Sequence, residues 1–409
     1  MGDFIEMIIG YLNNEYPEQR CIIGLCGGGI VYRKLSIKKE SSIERFINRV
    51  LNHVKYRLGV RGLLNWDKSA KISSREFKDP FSADIIHTFN TVCDIKNQWC
   101  CTFESEIPVT NKLIGRDWER KEEKHFQLDS SSKNMLKICA KRNCNGIIAI
   151  SSSAYKIQYE LIKRSDLKDK QKKDLFKKLV CIHPPQKRFI SDEEMNRKFK
   201  NVEITQFIFV GHDFFRKGGK QILGALKKLS ADYNFRLIIV SKLNYGDYAS
   251  VSCENDYKDA LALIHSARWI EYYETLANED VVELMRKSHI GLLPSLAETY
   301  GYSVLEMQAA GCPCITTNIR ALGEINNDKR GWICDINPNG FGEAIYGSDN
   351  EEHKRAVQNQ LENELLRVFN DIFQNQRIIE EKAHLSVKYI EENHNPDMIS
   401  KMIQDIYQK

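Results

Sequence analysis

The run SLAETYGYSVLEMQAAGCP, Ser295 to Pro313, together with HIGLLP (His289–Pro294) directly before it, constrains this chain more than any other segment. HIGLLP is a short apolar run of the kind that makes a buried strand. The polar stretch after it reads as a loop, and the apolar YSVLEMQAA reads as a helix opening at Gly301. In an open α/β sheet, the loop leaving the carboxyl end of a strand is where ligands bind. The backbone N–H groups of Tyr302, Ser303 and Val304 lie where the helix begins and suit a phosphate. The Ser303 hydroxyl caps the helix or touches that phosphate. Glu298 in the loop and Glu306 one turn into the helix suit neutral hydroxyls, as on a ribose or a hexose. The combination reads as a site for a nucleotide sugar. Two glutamates at this spacing also arise by chance on helices, so the specificity lies in the longer string.

A chain of 409 residues is too long for one ordinary core and implies two domains. Apolar runs alternate with helical stretches, which argues for parallel sheets. In the first half the runs are ADIIHTFN (Ala83–Asn90), NQWCCTFESEIP (Asn97–Pro108), GIIAISSSA (Gly146–Ala154) and LVCIHPP (Leu179–Pro185). Cys21–Ile37 holds two β-like runs around Gly27-Gly28-Gly29. It is either a hairpin or a strand feeding a Gly-rich loop near a cleft, and Tyr32 breaks any dinucleotide fingerprint. Pro184-Pro185 and the polar segment after them mark the boundary. The rhythm then restarts with ITQFIFVG, FRLIIVS, RWIEYYE, IGLLP and CPCITT. Asn278 is read as the cap of a helix with Glu279 and Asp280 in its first turn.

The loop HDFFRKGG after ITQFIFVG offers Arg216 and Lys217, followed by Gly218 and Gly219. An arginine fork and a lysine point charge suit a diphosphate, and the glycines let backbone approach it. A solvated basic turn is the structural alternative. The twelve cysteines form no C-x2-C pair, and free thiols with no metal site are expected. The net charge of +5 is mild. The N-terminus is acidic where a signal peptide is basic, and no apolar run reaches the ~20 residues of a membrane span. Residues 42–62 read as a basic amphipathic helix, either a domain helix with a solvated face or a dock for an anionic membrane. Without aromatics interleaved on a strand platform, nucleic acid is not an expected partner.

The Ser295–Pro313 string resembles the E-x7-E signature of retaining glycosyltransferases of family 4. The likeness extends to FIFVGHDFFRKGGKQIL (Phe207–Leu223) and, more loosely, to most of the chain from Asp84 onward. The resemblance implies the GT-B architecture, two Rossmann-like domains facing across a cleft. Residues 1–185 would bind the acceptor and 186–384 the donor, and a helix of about 385–409 would pack back on the first domain. It implies that Glu306 holds the ribose and that Glu298 faces the donor sugar as a catalytic group. Arg216, Lys217 and Gly218 would bind the diphosphate with the turn Gly301–Val304. The chain departs from the family where His212 follows the strand's Gly211, at a place usually basic, and where Glu104 and Glu106 end a strand at which many relatives carry a His. Tyr272 and Tyr273, with Trp269 and Ile270, occupy the usual place of the base, and core packing is their alternative. On the acceptor side Glu104 and His87 are the expected polar residues.

The implied activity is transfer of a hexose or N-acetylhexosamine from a nucleoside diphosphate sugar to an acceptor hydroxyl, in polysaccharide or glycolipid assembly. UDP is the expected carrier and GDP the alternative. No metal or other cofactor is expected. The partners are the donor and a sugar or glycolipid acceptor, and the setting is cytoplasmic, with peripheral membrane contact as a further expectation. A nucleotide-sugar epimerase or phosphorylase of the same fold and a non-catalytic nucleotide-sugar binding protein are the competing readings.

Overall fold

A computed structural model describes residues 7–38, 70–73, 77, 79, 82–110, 113, 127–200, 202–246, 248–346 and 349–409. The chain divides into two compact units. One runs to Pro185 and takes in Pro396–Lys409; the other is Gln186–Asn395. The basic segment 42–62 and the charged segment 116–125 lie outside the described residues.

In the first unit the elements are β1 (Met7–Tyr11), α1 (Tyr16–Cys21), β2 (Ile30–Lys34), β3 (Ala70–Ser73), β4 (Ile85–Phe89), β5 (Thr91–Asp94), β6 (Gln98–Phe103), α2 (Ser130–Cys139), β7 (Cys144–Ala149), α3 (Ser152–Arg164), α4 (Asp169–Lys178) and β8 (Leu179–Cys181). Six strands form one sheet in the order β2-β1-β4-β6-β7-β8, while β3 and β5 pair separately. The six-stranded sheet is parallel throughout. Its inner strands β4 and β7 are buried along their whole length, which is why they read as continuous apolar runs. Asp129 and Ser151 start α2 and α3 by accepting from N–H groups of the first turn.

Two readings of the Gly27–Gly29 segment are corrected here. Cys21 ends a helix, and β2 pairs in parallel with Met7–Tyr11, so no hairpin forms. The glycines precede β2, where Met7 N–H donates to Gly29 C=O at 2.8 Å. They therefore lie at the amino edge of the sheet, away from the carboxyl edge where such folds bind ligands.

The second unit contains α5 (Asp192–Phe199), β9 (Thr205–Val210), α6 (Gly219–Leu229), β10 (Phe235–Val240), α7 (Glu254–Ser266), β11 (Ile270–Tyr273), α8 (Asn278–Lys287), β12 (Ile290–Leu293), α9 (Tyr302–Ala309), β13 (Cys314–Thr317), α10 (Leu322–Ile325), β14 (Trp332–Cys334), α11 (Glu351–Gln374) and α12 (Arg377–Asn393). Its parallel sheet has the order β11-β10-β9-β12-β13-β14. Numbered within the unit, that is the doubly wound order 3-2-1-4-5-6. Ser191 and Glu194 close a reciprocal capping box at the start of α5. The cap of α8 is Ala277, and Asn278 is its first helical residue, so the expected asparagine cap is replaced by acidic residues alone in the first turn.

The chain ends in α13 (Pro396–Tyr407), set off from α12 by a break at Pro396, whose ring cannot continue a helix from the preceding turn. Ala383 and Val387 of α12 pack on Ile190 and Met195 in the second unit. Ile399, Ile403, Ile406 and Tyr407 of α13 instead close the core of the first unit over Ile9, Ile85, Cys100 and Ile148. These are the α/β layers of the GT-B class, with a parallel sheet in each Rossmann-like unit.

Candidate functional site

In the second unit the chain leaves β9 toward β10 and β11 on one side, and leaves β12 toward β13 and β14 on the other. The crevice between β9 and β12 is therefore the topological switch point, where open α/β sheets bind ligands at the carboxyl edge. Its walls are the loops Gly211–Gly218 and Pro294–Gly301. Backbone contacts tie them together: Leu296 N–H donates to Arg216 C=O at 2.9 Å. Gly218 begins α6 in the left-handed region, and a Cβ there would lie 2.3 Å from the Pro294 carbonyl oxygen.

Within that crevice Lys217 Nζ donates to Glu298 Oε2 at 3.1 Å, with both side chains only about one-seventh exposed (16% and 14%). The Lys217 stem lies over Gly211, where a Cβ would come 2.6 Å from Lys217 Cδ. Two of the Arg216 nitrogens donate to Asp213 and the third to the Ala297 carbonyl. Its fork thus braces one loop against the other. Burial opposes the Asp213 charge, but the Arg216 hydrogen bond and charge, with Lys217 and His212 beyond, hold this carboxyl below its usual range. His212 is exposed at the head of the loop.

Helix α9 opens at Gly301, which adopts φ 95° against Leu322. Val304 N–H turns back to Gly301 C=O at 2.9 Å, so this third donor is used inside the turn rather than presented to a ligand. The Ser303 hydroxyl makes no cap: its oxygen is buried and has no hydrogen-bond partner. Glu306 follows one turn further along, partly buried. Lys217, Gly218, Glu298 and the α9 N-terminus are thus gathered at one sheet edge from two loops some eighty residues apart.

Tyr272 and Tyr273 lie on β11, at the far edge of the same sheet. Tyr273 donates to Glu271, two residues back on its own face. Burial, Glu274 and Tyr257 push the Tyr272 hydroxyl up. Trp269 packs edge-on to Phe235, with ring centroids 5.1 Å apart, and is half-buried.

In the first unit Glu104 follows β6 at the carboxyl edge. Its Oε1 accepts from Asn90 Nδ2, and its N–H donates to Asn90 Oδ1, both at 3.2 Å. Asn90 is held at φ 50° after β4, so the pair joins two neighbouring loops. His87 is fully buried. Its ring nitrogens share hydrogen bonds of 2.8 Å with the Tyr407 hydroxyl and Thr102 Oγ1. Burial lowers its pKa to about 3. A neutral ring with both nitrogens engaged in the core has no access to an acceptor, and the acceptor-side reading of His87 is corrected to a structural one.

Three side chains at the second unit's carboxyl edge went unread in the sequence. Arg320, left-handed at φ 43°, pairs with Glu343 at 2.9 Å. Burial raises the Glu343 pKa and Arg320 opposes it. Tyr248 stands exposed at the same edge. A non-glycine residue at positive φ carries no mark in a single sequence. Among the described residues no group of His, Cys, Asp or Glu is arranged to hold a metal ion. No helix among them is long and apolar enough to cross a membrane.

The arrangement can place fixed positive charge and helix N–H groups against a diphosphate, with carboxylates beside it for hydroxyls. Residues 190–362 match the family model of group 1 glycosyl transferases. An uncharacterized glycosyltransferase of Methanocaldococcus jannaschii is 27% identical over 141 residues, 34% of this chain and 34% of the relative. The match therefore spans about a third of that protein's length. Among solved structures, Anabaena HepE in complex with UDP and glucose is similar with a TM-score of 0.57 and 12% identity, over 98% of this chain and 99% of that one. A glycosyltransferase from Rickettsia africae gives 0.55 and 14%, over 98% of both. The solved structures show the GT-B fold, and the family match is confined to residues 190–362, less than half of the chain.

Proposed function

We propose that this chain is a retaining glycosyltransferase of family 4 type. It moves a hexose or N-acetylhexosamine from a nucleoside diphosphate sugar, with UDP as the carrier, to a hydroxyl of a sugar or glycolipid acceptor. The observation that carries the reading is the Lys217–Glu298 pair, 3.1 Å apart in the β9/β12 crevice beside the N-terminus of α9. As the glycosidic bond breaks, negative charge grows on the diphosphate, and Lys217 with the α9 N–H groups stabilises it in place. Glu306 accepts from the ribose hydroxyls and Glu298 from the donor sugar. In a same-face mechanism the departing phosphate takes the acceptor proton, so no separate nucleophile is required. Glu104, braced by Asn90, is the acceptor-side carboxylate in this reading. Resemblance to a complex holding UDP and glucose supports the choice of UDP.

The test is thermal stability of the purified protein against UDP, GDP, UDP-glucose, UDP-N-acetylglucosamine and GDP-mannose. Ligand that binds only the folded state raises the melting temperature. A rise with one nucleotide class that disappears in Glu306→Ala is the expected result. No rise with any of them would overturn the reading.

A further inference from the structure

We infer that Lys217 changes partners during donor binding, leaving Glu298 for the diphosphate, so that Glu298 discriminates a nucleotide carrying its sugar from a bare one. The inference rests on the donor-site reading above and specifies how that site is regulated. Among the described residues Lys217 is the cation paired with Glu298, at 3.1 Å. Arg216 is turned instead to Asp213 and the Ala297 carbonyl. Gly211 seats the lysine stem against the end of β9, so the ammonium swings from a fixed root.

Two charges so largely withdrawn from water support one another, and either is costly when left alone. A diphosphate entering the crevice competes with Glu298 for the ammonium. Once Lys217 turns to it, Glu298 is a mostly buried carboxylate whose remaining contact is a long one from Thr299 N–H, at 3.3 Å. Sugar hydroxyls of the intact donor can donate to that carboxylate and restore its hydrogen bonds. A bare nucleoside diphosphate has nothing to offer it. The pair therefore weakens binding of nucleotide alone and favours release of the nucleoside diphosphate once the sugar has gone.

The experiment is calorimetric titration of UDP and UDP-glucose into wild type, Glu298→Gln, Lys217→Met and the double variant at one salt concentration. Circular dichroism and melting temperature establish that each variant is folded. In wild type UDP-glucose should bind more tightly than UDP. Glu298→Gln should bind UDP about tenfold more tightly than wild type, since the ammonium no longer has to leave a carboxylate. It should also lose the preference for UDP-glucose. In the Lys217→Met background the same substitution should leave UDP affinity unchanged, because the coupling runs through the lysine. A Glu298→Gln protein that binds UDP no more tightly than wild type overturns the exchange. So does a gain that persists without Lys217. If wild type binds neither ligand, nor GDP or GDP-mannose, the donor reading itself falls and the exchange falls with it.

Discussion

The Cβ that Gly218 lacks would stand 2.3 Å from the carbonyl oxygen of Pro294. The loop after β9 can therefore close on the loop after β12 only with glycine at this position, and the left-handed backbone at φ 82° demands the same residue. Gly218→Ala should destabilise the protein by about 1–3 kcal/mol in chemical denaturation and weaken nucleotide binding, since strain and collision act together. Unchanged stability would show that the loops part without cost.

Lys217→Ala and Glu306→Ala remove one cation and one carboxylate from the site without touching the core. Each should weaken nucleoside diphosphate binding about tenfold or more, the scale of a lost charged hydrogen bond. Titration calorimetry checks this, and two variants that bind like wild type would show that the site is misplaced.

Arg216 acts through its neighbours. Arg216→Lys keeps the charge but cannot serve Asp213 and the Ala297 carbonyl together. Hydrogen exchange at the Leu296 amide, which donates to Arg216 C=O, should quicken in Arg216→Lys as in Arg216→Ala. Rescue by lysine would instead indicate a simple charge.

His87 makes the first unit sensitive to acid. Burial lowers its pKa from 6.5 to about 3, so between those values the unfolded chain binds a proton that the folded chain does not. Its contribution to stability is complete above pH 6.5 and falls as pH drops, by about 1.4 kcal/mol per unit across that window. Melting temperature measured from pH 7.5 to 5 should fall more steeply in wild type than in a folded His87→Asn protein. Equal slopes would contradict the burial argument.

Tyr407→Phe deletes the hydroxyl that meets His87 Nδ1 at 2.8 Å, leaving a ring nitrogen unpartnered in the core. The expected cost is about 1–3 kcal/mol, read from urea denaturation.

The sequence by itself determined the alternation of apolar runs and helices, hence the parallel sheets. It also determined the strand–loop–helix that carries Glu298 and Glu306 and the glycine-flanked basic loop. These features are local, and periodicity, turn residues and spacing record them directly. It did not reveal Met7–Tyr11, a five-residue edge neighbour whose pairing with β2 lies more than twenty positions away. Nor could it decide between two basic neighbours. Arg216 and Lys217 are adjacent in the chain, yet one is spent on Asp213 and the Ala297 carbonyl while the other faces Glu298. That choice depends on which loop the doubly wound sheet brings alongside. His87 reads as a polar strand end until α13 sets Tyr407 against it from the far end of the chain. Contacts between remote segments are fixed by packing and strand order, and only the tertiary structure decides them.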